Sequence, residues 1–185
     1  YADQGSFALT QSPGRDLLRL WRRLRTLPGG QWLFAAIFSF LVPYSGSVRP
    51  RIRVLEPGHA EVEIPDRRAN RQHLGSMHAI ALLNAAEQAS GLAMLAGLPD
   101  GVRGIVTQIS MQYLKKARGT IRAVSHVAVP TVTADMEIDV EAECVDRQGD
   151  VVARATVRWG TPWRSDRAAA RRPTRGPWPC GRSSA

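Results

Sequence analysis

The chain is poor in several residues that often announce a function. It carries two cysteines in 185 residues, Cys144 and Cys180. That is too few for a disulfide scaffold or a cysteine zinc site. A reducing, cytoplasmic setting is therefore expected, with Cys144 a buried thiol in a strand-like run and Cys180 an exposed one in a polar tail. There is no glycine-rich loop of the phosphate-binding or dinucleotide type. No His, Cys and Asp group has metal-ligand spacing, so no metal site and no resident cofactor are expected. Lysine is almost absent, with Lys115 and Lys116 the two among 25 basic residues, and aromatics reach 6%. The most apolar run, Gln31 to Val42, is 12 residues long, well short of the ~20 that a membrane span needs.

Charge is plentiful but unevenly placed. The formal net charge is +9. Residues 1–51 hold seven Arg and two Asp, residues 52–163 hold 12 basic and 13 acidic residues, and residues 164–185 hold six Arg and one Asp. The central segment is thus near neutral and the excess lies on two flanks. A domain that tracks phosphates carries its charge on a folded face, so no nucleic-acid partner is expected. Hydrophobic residues make up 44%, enough for one globular core.

Periodicity divides the chain further. Leu17, Leu20, Trp21, Leu24 and Leu27 recur at helical spacing, with Arg15, Arg19, Arg22 and Arg23 off that stripe. A helix over 13–27 is expected, with Ser12 as cap and Pro13 at its first position. Such a basic amphipathic helix can pack on its own domain, lie on a membrane surface or bind a partner. Residues 31–42 read as a short buried helix, or one that dips into an interface. Residues 48–65 read as two strands about the turn Glu56-Pro57-Gly58. Met77 to Leu98 is helical by length and apolar nearly all round, so it should be buried. Gly104–Leu114 and Gly119–Val129 are strands.

Ala134–Val145 alternates strictly, with Ala134, Met136, Ile138, Val140, Ala142 and Cys144 on one face and acids on the other. It is a strand that returns through Arg147–Asp150 to Val151–Trp159. A symmetric turn there pairs Glu143 with Arg154, Asp139 with Arg158, Val140 with Val157 and Ile138 with Trp159. After Trp163 the pattern ends, and residues 164–185 read as a disordered basic tail. The expected organisation is N-terminal helices over 1–47 packed on a domain over 48–163. That domain is of α+β class, an antiparallel sheet wrapped around one long buried helix.

The polar residues on or just before that helix are the chemical candidates: Gln72, His73, Ser76, His78, Asn84, Glu87, Gln88 and Ser90. Glu87 lies among Ala85, Ala86, Ala89 and Gly91. It is either a rim carboxylate, solvated or ion-paired, or a buried one whose raised pKa suits a general base. Lys115, Lys116 and Arg118 lie at a strand junction. They are either a solvated loop or a contact for phosphates.

The stretch Gln72-His-Leu-Gly75-Ser-Met-His78-Ala79-Ile80, followed by Glu87, resembles the helix-entry motif of hotdog-fold acyl-CoA thioesterases. The phenylacetate-pathway and 4-hydroxybenzoyl-CoA types are the nearest in pattern. That family places an Asn or Gln, then a Gly, then a His-Gly-Gly step at the helix start. An Asp or Glu follows eight residues after the first Gly of that step. Here Gln72, Ala79 and Glu87 match the spacing. Over roughly residues 15–163 the chain also resembles an uncharacterised branch of that superfamily, with Gly104–Gly119 similar to its central strand pair. The departures are Ala79 and Ile80 in place of the two glycines, and Gly91 or Ser90 where the family carries a water-holding hydroxyl.

The resemblance implies a hotdog fold and hydrolysis of an acyl- or aryl-CoA, with coenzyme A as part of the substrate. Glu87 would attack or activate water. The Ala79 N–H would stabilise the oxyanion at the positive end of the helix dipole, and Gln72 would hold substrate or water. His78 would shape the loop or move a proton, Lys115, Lys116 and Arg118 would meet the coenzyme A phosphates, and Ser90 would contact substrate. A non-catalytic acyl- or CoA-binding module is the alternative. Eight helical residues separate Ala79 from Glu87 by about 12 Å, so one chain cannot place both at one carbonyl. Two antiparallel copies across a two-fold axis can, and a homodimer or a dimer of dimers is expected. A weak membrane-surface contact through the N-terminal helices is the remaining partner expectation.

Overall fold

The structure is a computed structural model that describes residues 13–129 and 131–161. The expected basic tail and Cys180 lie outside the described residues. Three helices open the chain: α1 (Pro13–Leu24), α2 (Gly30–Leu41) and the single turn α3 (Pro43–Gly46). Two strands follow, β1 (Arg51–Glu56) and β2 (His59–Ile64), and then the long helix α4 (Ala79–Leu95). Four strands complete the domain: β3 (Ile105–Tyr113), β4 (Ile121–His126), β5 (Met136–Val145) and β6 (Val151–Thr161). All pairings are antiparallel, and the sheet runs β1-β2-β4-β5-β6-β3.

The sheet wraps α4, as the sequence implies. Helix and sheet approach closely because both contact faces are built of small side chains. Ala85, Ala86, Ala89 and Ala93 on α4 are fully buried against fully buried Ala60, Ala123, Ala153 and Ala155 on the strands. Larger residues fill the ends of this layer, Ile52 and Leu55 from β1, Ile121 from β4 and Val157 from β6. Cys144 is buried in the same layer, and burial pushes its thiol up to about 12.

The β5–β6 hairpin adopts the expected register. Glu143 pairs with Arg154, Asp139 with Arg158, Val140 with Val157 and Ile138 with Trp159. The register shifts by one only beside the turn, between Cys144 and Val145. Arg158 grips Asp139 with two bonds of 2.7 and 2.8 Å, and Arg154 meets Glu143 at 2.6 Å. The Arg158 guanidinium holds the Asp139 carboxyl below its ordinary value. These cross-strand pairs relieve the row of acids on the outer face of β5, each by roughly 0.2–1 kcal/mol.

One expectation needs correction, and of the two readings of residues 31–42 full burial is excluded. The strands on either side of Lys115–Arg118 are not a central pair. β3 lies at the sheet edge beside β6, while β4 lies between β2 and β5. Helix α2 is buried on one side only. Phe34, Ala35 and Phe38 face inward, whereas Trp32 is 75% exposed and Phe40 83%. A run apolar on every face carries no pattern that distinguishes its inner side from its outer one.

The inner side is tied to α1 by an edge-to-face contact of Trp21 and Phe34, with ring centroids 5.1 Å apart. Asn84 and Gln88 of α4 hold α3, donating to the Tyr44 and Ser45 carbonyls at 3.3 and 3.2 Å. Replacing fully buried Phe34 by Ala should lower stability by about 3–5 kcal/mol. Phe40→Ala, on the exposed side of the same helix, should stay within about 0.5 kcal/mol. Urea unfolding of the two variants checks this, and equal losses would contradict the one-sided burial of α2.

Candidate functional site

The loop that leads into α4 is built around Asn70. Its side-chain amide donates to the carbonyls of Val48 and Pro65 at 2.9 and 3.0 Å, and its own carbonyl accepts from the His78 N–H at 2.8 Å. Arg71 closes the outside of the loop on Asp66 through bonds of 2.5 and 2.7 Å. Gln72 is committed within this turn. Its amide nitrogen donates to the Ser76 hydroxyl at 2.6 Å and its amide oxygen accepts from the Leu74 N–H at 2.6 Å. One amide hydrogen of Gln72 remains for another acceptor.

His78 is the N-cap of α4. Its backbone is extended, with φ −67° and ψ 138°, and its Nδ1 accepts from the Ile80 N–H at 3.1 Å. The ring thus satisfies one of the open donors of the first turn. The Ala79 N–H, by contrast, has no acceptor among the described residues. Ala79 and Ile80 are exposed, and this donor lies at the positive end of the helix.

Glu87 sits two turns further along. Ile80, Leu83 and Glu87 share one stripe by their spacing of three and four residues. Leu83 and Glu87 are half-buried and Ile80 exposed on a helix otherwise buried along this length. The Glu87 carboxylate has no hydrogen-bond or ion-pair partner among the described residues. Burial without a counter-charge raises its pKa above 4.5. It is half-buried at the helix margin and makes no salt bridge among the described residues.

Behind Glu87 stands Trp159 of β6. The Ser90 hydroxyl donates to the Glu87 carbonyl at 2.9 Å and accepts from the Trp159 indole at 3.3 Å. Ser90 is fully buried, so its hydroxyl is spent on bracing the indole. Gly91 is obligatory for the same reason, since a Cβ there would lie 2.8 Å from the indole ring. The indole ring occupies the space that a side chain at Gly91 would need.

The loop after β3 reaches the helix start. The Met77 N–H donates to the Ala117 carbonyl at 2.8 Å, which sets Lys116 and Arg118 beside the entry to α4. Neither makes an ion pair among the described residues. Lys115 is different, because its ammonium is neutralised by Asp146 and Asp150. Tyr113 was not foreseen. Its hydroxyl donates to the Ala79 carbonyl at 3.3 Å, and burial raises its pKa. Asn70 and Trp159 were also missed as parts of the site. Asn70 stands in a run of charged residues with nothing to mark it as buried, and only the register that puts Trp159 on the inner face offered a hint.

One chain therefore brings Gln72, His78, Ala79, Lys116 and Arg118 to one end of α4 and leaves Glu87 about 12 Å away along the axis. Among the described residues no three His, Cys, Asp or Glu side chains group as metal ligands, and no helix is long and apolar enough to cross a membrane.

Comparisons place this geometry among known folds. A family model, Domain of unknown function (DUF4442), matches residues 30–161. Among solved structures the chain is similar to the structural-genomics protein APC5556, at 31% identity and TM-score 0.69, over 80% of this chain and 97% of that one. It is also similar to a Pseudomonas aeruginosa protein of unknown function described as a probable thioesterase, at 25% identity and TM-score 0.64, over 74% and 96% of the two chains. The phenylacetic acid degradation protein PaaI of Thermus thermophilus shares the fold at 22% identity and TM-score 0.54, over 64% and 97%. The fold is the hotdog fold. No curated protein sequence matches the chain.

Replacing Glu87 by Gln separates its role from its cost. A carboxyl whose pKa is raised by folding binds its proton more tightly in the native state, so stability falls as pH rises from about the unfolded value of 4.5. Glu87→Gln should remove that loss and raise Tm at neutral pH by a few degrees, on the order of 2–4 °C. Thermal unfolding of both proteins between pH 4 and pH 8 measures the difference. A lower Tm for the variant across this range would show that the carboxylate is held by favourable partners.

Proposed function

The chain belongs to the DUF4442 family, and we propose that it is a thioester hydrolase acting on an acyl- or aryl-coenzyme A. The observation that carries this reading is the pairing of two unsatisfied groups on one helix. A free N–H sits at the start of α4, and a desolvated carboxylate without a counter-ion lies along the same helix. Neither contributes to stability as it stands, and each is what hydrolysis of a thioester needs. The solved neighbours described as thioesterases support the same reading.

Hydrolysis proceeds as follows. Glu87 takes a proton from a water molecule as its oxygen attacks the thioester carbonyl. Negative charge develops on the carbonyl oxygen, where the Ala79 N–H and the helix dipole oppose it. The tetrahedral intermediate collapses, the C–S bond breaks, and the leaving thiolate of coenzyme A takes the proton that Glu87 holds, which restores the carboxylate. His78 keeps the first turn in shape through its bond to the Ile80 N–H. Gln72 offers its remaining amide hydrogen to substrate or water. Lys116 and Arg118 lie where the coenzyme phosphates would approach, whereas Lys115 is held by its two aspartates.

The reading needs two chains. Edge strand β3 supports this. Through its pairing with Ala153, Ala155 and Val157 of β6, its Tyr113, Met111 and Ile109 lie on the helix side of the sheet. Yet Ile109 and Tyr113 are exposed, at a strand edge with no neighbour beyond it among the described residues. Leu74, Ile80 and Leu114, near the start of α4 and the end of β3, are exposed as well. A second copy that pairs along β3 would cover these side chains and bring its Glu87 toward the first copy's Ala79.

Turnover of a panel of aliphatic and aromatic CoA thioesters tests the activity. Glu87→Gln should lower kcat by a factor of about 10² to 10⁴ with the fold intact. The acid limb of kcat/KM should lie above the ordinary glutamate range, since the ionised form is the active one. A panel with no turnover by the parent chain, but with tight CoA binding, would favour a non-catalytic binding module.

A further inference from the structure

We propose that the outward face of α2, with the arginines beside it, docks the protein on an anionic lipid surface. Trp32, Leu33, Ala36 and Phe40 fall on one side of α2 and all are exposed. The exposure of Trp32 and Phe40 is extreme for side chains of their size on a soluble surface. Beside Phe40 the apolar surface continues into a groove of about 550 Å³ between α1 and α2, walled by Leu17, Leu20, Ile37 and Leu41.

Charge lies on both sides of this apolar ridge. On the α1 side Arg19, Arg22 and Arg23 are exposed. On the other side two clefts that share Trp32 are lined by Arg25 and Arg53, and by Arg49, Arg51 and Arg67. The acids in reach are few and engaged. Asp16 faces Arg19, Glu63 takes Arg51 and Arg53, and Asp66 is held by Arg71. Arg22, Arg23, Arg25 and Arg49 have no ion-pair partner among the described residues.

An aromatic and aliphatic ridge between two rows of arginine matches the layered chemistry of a bilayer surface. Apolar side chains enter the acyl boundary while guanidinium groups stay at the level of anionic headgroups. A second copy of the chain is a poorer occupant, because a two-fold contact would set two positively charged faces against each other. The ridge is independent of the site at Ala79 and Glu87. It adjoins α4 through α3, whose Tyr44 and Ser45 carbonyls accept from Asn84 and Gln88, and through α1, whose Gly14 lies against the Leu95 backbone.

Flotation of the full chain tests this with vesicles of phosphatidylcholine alone and of phosphatidylcholine mixed with phosphatidylglycerol. The chain should float with the mixed vesicles and not with phosphatidylcholine alone, and added salt should weaken binding. Trp32→Asp combined with Phe40→Asp should lower partition about tenfold or more. Arg22→Glu combined with Arg23→Glu should weaken it as well. Both double variants should keep the Tm and the thioester turnover of the parent. The proposal is overturned if the parent stays unbound with anionic vesicles. It is also overturned if the Trp32 and Phe40 variant floats as well as the parent, because binding would then reside in another basic segment. A variant that changes oligomeric mass and leaves flotation unaltered would assign the ridge to a second copy instead.

Discussion

The close approach of α4 to the sheet is the constraint on which the other features rest. Alanines on both contact faces let the helix axis sink into the curve of the strands. Space this tight admits no side chain at Gly91, where the Trp159 ring lies against the helix backbone. It commits Ser90 to that ring and to the Glu87 carbonyl, and it holds Glu87 half-buried at the margin of the packed layer, where no cation among the described residues reaches it. A looser interface of leucines would hold the helix further out and solvate the carboxylate.

The same packing accounts for the two ends of the helix. At its start the loop from Asp66 to His78 is held by Asn70 and its backbone partners, so the N-cap ring and the free Ala79 N–H are presented in one fixed arrangement. On its other side, Asn84 and Gln88 are polar residues buried for structure, since they fasten α3 and with it the N-terminal helices. A helix with several polar residues therefore uses them for different ends. Some anchor neighbours, one braces an indole, and one is left without a partner. That last condition, seen among the described residues, is costly in a folded protein.

Much of the fold was legible because the relevant information was local. Strict alternation in Ala134–Val145 and the turn at Arg147–Asp150 predicted the hairpin register, and its charged pairs fell where they were expected. The long apolar segment was readable as the central helix. The position of β3 at the sheet edge was not, because alternation tells which residues share a face and nothing about which strand lies beside it. The outward side of α2 was hidden for a related reason, since an all-apolar helix has no polar face to mark the surface. Within the candidate site, Gln72, Ala79 and Glu87 were marked by the resemblance of their stretch to a known motif. Asn70, Tyr113 and Trp159 were not, as their contacts come from distant parts of the chain. The hydroxyl of Ser90 and the charge of Lys115 were visible in the sequence, but their internal partners were not.

The central claim is that Ala79 of one chain and Glu87 of another form each site, and a mixed dimer tests it most directly. Ala79→Pro deletes the free N–H at a helical position where proline is well tolerated, and extended His78 suits a residue preceding proline. Glu87→Gln deletes the base. Each variant alone should be folded and nearly inactive. A dimer of one chain of each kind, isolated through two different tags, should recover about half the activity of the parent dimer, because one of its two shared sites is whole. A mixed dimer as inactive as its parents would contradict the account, since it would place both groups of each site in the same chain.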